Sequence, residues 1–374
     1  MEDRKYIVIG GEHYNPLGLI RSLGVAKIKP IAIIKKASFG IASKSKYIKK
    51  LHLVDSYDEA LDLLKKEYGN EILKPFVFTS DDQMTSILDN NYDELKDKFI
   101  FYNAKKQGEI SKYMNKEEIM NLAVECGLKV AKSWKVYDKK VPKDITYPCL
   151  TKAIISTKDN WKDDSFICKN EEELKKALKT IKSKEILIQE YIIKKNELCY
   201  DGFSCDNGKK VLYAISSDYL FVKEGAYSNY MLVSNSHHKE LEDKLSKMFA
   251  KIKFDGIFSV EFLVDENNNY YFLEINFRNS TWSWASTKAG MNLPVLWSRC
   301  MLDKEEFNDS YKEFKPFKAI VEIEDFHDRV STKKVSVFKW LGNLLSSKVW
   351  YYFTFADPMP LLNKVLHKIN KKRY

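Results

Sequence analysis

The sequence predicts an α/β lobe with parallel strands at the N-terminus, followed by a larger α+β region. Apolar strand patterns alternate with amphipathic helical stretches over residues 1–108, and paired strands joined by polar turns follow. At 374 residues the chain exceeds one typical domain, so two or three lobes with their own cores are expected. A 44% hydrophobic and 13% aromatic content excludes a disordered chain.

Tyr6–Gly10 reads as a short buried strand ending in Gly10-Gly11. The helical pattern Pro16–Leu23 and a second strand, Pro30–Ile34, complete a βαβ opening. The glycine spacing in GGEHYNPLG is wrong for a dinucleotide fingerprint, and Ile34 runs into Lys35-Lys36 where an acid would be needed, so the lobe is Rossmann-like without an NAD site. Asp58–Tyr68 has helical amphipathicity, and Pro75–Thr79 is a strand ending in Ser80-Asp81-Asp82. Ligands bind beyond the carboxyl ends of such strands, which makes Ser80 and Asp81 candidate substrate contacts; Asp81 could equally cap the helix Asp82–Leu88.

Ile110–Gly127 reads as one helix stopped by Gly127. Val130–Tyr137 and Tyr147–Lys152 are strands, Ala153–Asp164 a polar loop expected to be mobile, Glu171–Ile181 a helix and Ile186–Tyr191 a strand. A turn at Lys194-Lys195-Asn196 leads to the strand Glu197–Ser204. Asp206-Asn207-Gly208 is a strong hairpin turn into Lys210–Ser216. Lys223–Ser228 reads as a polar loop between strand and helix, and Lys239–Ile252 as a helix.

Asp255–Arg278 carries the chemistry. Ile257–Val264 and Tyr270–Asn276 form a hairpin around the polar run Glu266–Asn269. Pairing Asp265 with Tyr270 sets Glu261 opposite Glu274, with Asn276 on the same face. Like charges across a ladder destabilise it, and apolar neighbours add a desolvation cost. A cation resolves both problems: two carboxylates and an amide oxygen make a hard, all-oxygen set suited to Mg²⁺ completed by phosphate oxygens and water. Arg278 follows on the same side, able to face an anion. The alternative is a solvated strand face with scattered acids.

EFLVDENNNYYFLEINFR resembles the metal-binding signature of the ATP-grasp ligases, and the resemblance extends over nearly the whole chain. It is closest to carboxylate–amine ligases similar to the carbamoyl phosphate synthase large subunit. The resemblance implies a pre-ATP-grasp lobe at 1–108, a two-subdomain ATP-grasp fold at 109–326 with a mobile subdomain at about 140–190, and a tail at 327–374. It implies ATP and two Mg²⁺ ions, with Mn²⁺ as a substitute, at Glu261, Glu274 and Asn276, and Arg278 as the catalytic residue steadying the transferring phosphoryl. Asn115-Lys116 and Pro148-Cys149-Leu150-Thr151-Lys152 match the family's two phosphate-binding lysines, although Ala153 stands where proline is usual. By the same resemblance the backbone of Glu190 and Ile192 reads adenine and Glu197 holds the ribose; the polar loop that begins at Lys223 is a further candidate contact to triphosphate or acceptor. The implied reaction joins a carboxylate to an amine through an acyl phosphate, with no protein nucleophile.

The net charge of +10 is spread along the chain, and no nucleic-acid-binding module is recognisable, so a polynucleotide partner is not expected. Six cysteines lack metal or C-x-x-C spacing and read as buried thiols in a reducing cytoplasm. Lys348, Asp357 and Pro358 interrupt the apolar C-terminal region, which excludes a transmembrane segment there. His237 and His238 are expected at the surface, and Trp282 and Trp284 in the core or a pocket wall. The basic helix Leu361–Lys372 would cover a lobe or touch another subunit, as in a homodimer. Two other readings compete with the ligase: a nucleotide-binding module without catalysis, and a basic protein that binds membrane or nucleic-acid surfaces.

Overall fold

The computed structural model describes residues 4–137, 139–153, 165–181, 185–223 and 226–371, without the side chains of residues 152, 153, 185 and 368–371. The loop predicted at Ala153–Asp164 therefore lies almost wholly outside the described residues. Strands β1 (Tyr6–Gly11), β2 (Ile31–Lys35), β3 (Lys50–Val54), β4 (Phe76–Thr79) and β5 (Ile100–Phe101) form a parallel sheet in the order β3-β2-β1-β4-β5. Successive residues of β1 feed opposite cores: Tyr6 and Val8 pack on one side, Ile7 and Ile9 on the other. Burial of both faces explains its continuous apolar run. β3 lacks that signature and is not legible in the sequence, because it is an edge strand with Leu51 and Leu53 39% and 48% exposed.

A four-stranded antiparallel sheet follows, from β6 (Ser133–Tyr137), β7 (Cys149–Ala153), β8 (Ile167–Cys168) and β9 (Glu185–Glu190), ordered β6-β9-β7-β8. Leu174, Ala177 and Leu178 of the helix Glu171–Thr180 pack on Ile186 and Ile188. The third sheet contains β10 (Lys194–Cys205), β11 (Lys210–Tyr219), β12 (Tyr230–Ser234), β13 (Gly256–Asp265), β14 (Tyr270–Asn276), β15 (Phe317–Ile320) and β16 (Val349–Trp350), in the order β14-β13-β10-β11-β12-β15-β16. The helix Lys239–Ile252 covers one face of it, with Phe249 4.2 Å from Phe258 between ring centroids. The predicted turn between β10 and β11 is present. Asp206, Asn207 and Gly208 all have positive φ, and a Cβ on Gly208 would meet the Phe249 carbonyl oxygen at 2.1 Å.

Two local expectations are corrected. Ile110–Gly127 is not one helix but two, Glu109–Tyr113 and Lys116–Glu125, separated at Asn115. The Asn115 side chain accepts from the Glu117 N–H at 2.9 Å, which caps the second helix in place of continuing the first. Residues Lys223–Ser228 lie between two strands, β11 and β12, not between strand and helix.

The segment beyond residue 327 is built into the molecule. It adds β16 to the third sheet and brings Asp357 back to the first lobe. Arg21, on the helix Tyr14–Val25, is 1% exposed and donates to Asp357 Oδ2 at 2.9 Å and to the Tyr351 and Tyr352 carbonyls at 2.8 and 2.9 Å. Asp357 also accepts from Ser45 Oγ and the Lys46 N–H. Glu322 accepts the N–H groups of Tyr351, Tyr352 and Phe353. Among the described residues no helix is long and apolar enough to cross a membrane. All six cysteines are free and buried.

Candidate active site

The hairpin β13–β14 sits at the edge of the third sheet, and Glu261 faces Glu274 across it. The register behind that pairing differs from the predicted one. Near the turn Val264, not Asp265, pairs with Tyr270, and an irregularity between Glu261 and Phe262 restores the offset at the acids. Asp265 instead organises the turn, accepting from the Asn267 and Asn269 N–H groups. Pairing of Cys199 with Glu261 and of Asp201 with Ser259 places β10 beside them. Alternation then puts Glu197, Asp201, Glu261, Glu274 and Asn276 on one sheet face.

Burial, and then the charge of Glu274, push the Glu261 carboxyl up to about 8. Arg278 opposes that shift. Asn276 Nδ2 donates to Glu261 Oε1 at 3.2 Å, and its Oδ1 accepts from Arg278 Nη2 at 2.9 Å. A half-turn of the amide would present its oxygen to the carboxylates. Among the described residues no three His, Cys, Asp or Glu side chains cluster as a metal site. The set here is two carboxylates and an amide, whose hard oxygen atoms and mutual repulsion fit Mg²⁺.

The sign of the shift gives a test. A carboxyl whose folded pKa lies above its ordinary 4.5 is stabilising while protonated, and that contribution is lost as pH rises toward about 8. In metal-free buffer the melting temperature is expected to fall across this window, with a shallower fall in Glu274→Gln. Circular dichroism melts at intervals across the window measure it. A flat profile in the wild-type chain would contradict the buried acidic pair.

Arg278 joins this face to the first lobe. Its Nε and Nη2 donate to the two carboxylate oxygens of Asp82 at 2.8 and 2.9 Å. Asn15, just beyond β1, donates to the Ser80 and Asn279 carbonyls at 3.0 Å each, and Asn279 donates back to Asn15 Oδ1 at 2.6 Å. The carboxyl ends of β1 and β4 therefore abut the segment after β14. Asp81 caps the helix Asp82–Asn90, accepting from Gln83 and Met84 N–H groups. Ser80 Oγ is buried with no partner among the described residues. The acid that grips Arg278 is Asp82, one residue beyond the expected Ser80-Asp81 contacts.

Asp201 was also missed. It is fully buried, accepts from Ser280 and Ser283 Oγ, and is pushed up to about 6 by desolvation. Its alternation with Glu197 along a predicted strand was the available signal.

The remaining predicted residues occupy separate places around this face. Lys116 is exposed at the first turn of its helix, whereas Lys152 lies on β7 with its side chain outside the described residues. β9 ends at Glu190, whose carboxylate accepts from the Lys132 N–H at 3.2 Å. Ile192 follows in the short link to β10, its N–H without a partner among the described residues. Glu197 is buried and paired with Lys194, which also donates to the Ala226 carbonyl at 2.8 Å. Lys223 pairs with Asp328 at 2.8 Å beside a cavity. His237 is exposed, bonded to Glu242 and Tyr311, while Trp282 and Trp284 are buried.

Residues 115–299 match the family model described as the carbamoyl-phosphate synthase L chain, ATP binding domain. No curated protein matches the sequence. Among solved structures, N5-carboxyaminoimidazole synthetase from Staphylococcus aureus aligns with a TM-score of 0.66 at 16% identity, over 88% of this chain and 85% of that one. The L-amino acid ligase from Bacillus licheniformis aligns with a TM-score of 0.65 at 11% identity, over 84% and 79%. The biotin carboxylase of Campylobacter jejuni gives 0.62 at 16%, over 84% and 74%. At such identities the likeness is one of fold.

Proposed function

The chain is an ATP-grasp protein, carrying an ATP-binding domain of the carbamoyl-phosphate synthase L-chain type at residues 115–299, and on that premise we propose that it is an ATP-dependent carboxylate–amine ligase. The observation that carries the proposal is the cluster of Glu261, Glu274, Asn276 and Arg278 on one sheet face where two lobes meet. Glu261, Glu274 and Asn276 would hold Mg²⁺, two ions with Mn²⁺ as the substitute, which supplies charge neutralisation at the phosphate oxygens.

Lys116 and Lys152 hold the nucleotide phosphates in this reading. The Glu190 carbonyl and the Ile192 N–H read the adenine edge, and Glu197 takes the ribose hydroxyls. The adenine then lies at the link between the four-stranded and seven-stranded sheets, where a subdomain at about 140–190 can close over it. A carboxylate oxygen attacks the γ-phosphorus and ADP departs, leaving an acyl phosphate. The amine nitrogen attacks the acyl carbon, the C–O bond to phosphate breaks, and the nitrogen loses a proton. Arg278 faces the transferring phosphoryl and the later oxyanion, so the protein's part is positioning and charge stabilisation. The names of the aligned structures support this reading, two being a ligase and a synthetase and one described as a β-γ-ATP complex. Buried free thiols support a reducing cytoplasm.

Hydroxylamine tests the intermediate, since it intercepts acyl phosphates as hydroxamates. With ATP, MgCl₂ and a panel of amino acids and sugar acids, hydroxamate is expected to form with one carboxylate class and to match ADP mole for mole. ADP release without hydroxamate or amide would overturn the acyl-phosphate route.

A further inference from the structure

A cavity of about 310 Å³ opens between the β11–β12 loop and the segment after β15, lined by Lys223, Ala226, Tyr227, Asn229, Glu324 and Asp328 among others. It adjoins the acidic face: Lys194 bridges Glu197 to the Ala226 carbonyl in its wall. Two wall atoms are buried acceptors with no partner among the described residues, Asn229 Oδ1 and Glu324 Oε2. Asn229 is only 5% exposed, and its Nδ2 is spent on Asp328 Oδ2 at 2.8 Å. Glu324 Oε1 is spent on Tyr352 and Lys364 at 2.8 and 2.7 Å. The nearby cations are engaged as well, Lys223 by Asp328 and Lys364 by Glu324.

Buried acceptors left unpaired are costly, so such a wall selects a ligand that brings donors. An ammonium group brings three and no acceptor. A carboxylate brings only acceptors and would meet two carboxylates and an amide oxygen. We infer that this cavity is the subsite for the amine substrate, recognising a primary ammonium group through Asn229 Oδ1, Glu324 Oε2 and the Asp328 carboxylate. The inference rests on the ligase reading for the name substrate, whereas binding itself does not depend on it. Asn229 and Glu324 would act in binding and positioning, not in phosphoryl transfer.

Ligand-observed NMR on the full chain, without nucleotide, separates the cases with three probes of matched size: propylamine, propionate and propanol. Propylamine is expected to bind in preference to both others, with affinity falling about tenfold in Glu324→Gln, which keeps an acceptor for Tyr352 and Lys364, and in the near-isosteric Asn229→Leu. A cooperative melt and an Mg–ATP affinity near wild type report that both variants fold; the melting temperature of Glu324→Gln is expected to fall because Lys364 loses its counter-charge. Equal or better binding of propionate, or unchanged propylamine affinity in two folded variants, overturns the assignment. Because no ATP is present, failure of the ligase chemistry leaves this result standing. Ligation with an unaltered KM for the amine in both variants would sink the cavity alone.

Discussion

Glu274→Ala is expected to lower ATP-dependent ligation by roughly 10²–10³-fold or more while leaving the fold intact, the scale seen when one pre-organised charge-stabilising group is removed. The residue is half-buried and faces Glu261, so its loss removes the proposed metal ligand and relieves a repulsion together. Activity and stability should therefore move in opposite directions, turnover collapsing and the melting temperature at alkaline pH holding or rising. A coupled ADP assay across a MgCl₂ series, paired with thermal melts, reads both. Substantial turnover at saturating Mg²⁺ would refute the assigned role. So would a variant whose lost activity tracks lost structure.

The second large effect concerns stability. Arg21→Ala leaves the Asp357 carboxyl, 0% exposed, without its cation, and strips donors from three backbone carbonyls, those of Tyr351, Tyr352 and Asp357. Breaking one side of a buried pair costs about 3–5 kcal/mol, a large share of a typical domain's margin. Replacing both partners with apolar residues of similar size costs much less, because no lone charge remains. Urea unfolding of Arg21→Met, and of Arg21→Met combined with Asp357→Leu, should show the double variant recovering most of the loss. A double variant no better than the single would mean that the backbone bonds, not the charge pair, dominate.

These two sites differ in how far they could be read from sequence. The Glu261–Glu274 opposition follows from period-two alternation and a visible turn, both local properties. Its derivation nevertheless assumed a uniform ladder, and the irregularity beside Phe262 has no residue signature. The acids face each other because two departures from the assumed register cancel. β1 and β4 were legible because burial on both faces leaves unbroken apolar runs, while β3 shows only a partly buried edge. Arg21 and Asp357 are 336 residues apart, and nothing in either neighbourhood announces the other. The same holds for Asp82, which reads as the first residue of a helix until the fold brings Arg278 to it. Cooperation between lobes is the part that alternation and turn chemistry cannot supply.

The fastening of Arg21 by Asp357 has a consequence for biosynthesis. A chain made in the N-to-C direction exposes the guanidinium-bearing helix well before the acid that neutralises it, which follows 336 residues later. Until then this lobe must keep that helix face hydrated, so its last layer of packing waits for Asp357 to clear the ribosome. Nascent chains halted before residue 357 should accordingly be open to proteases at the helix Tyr14–Val25, where the finished protein resists them.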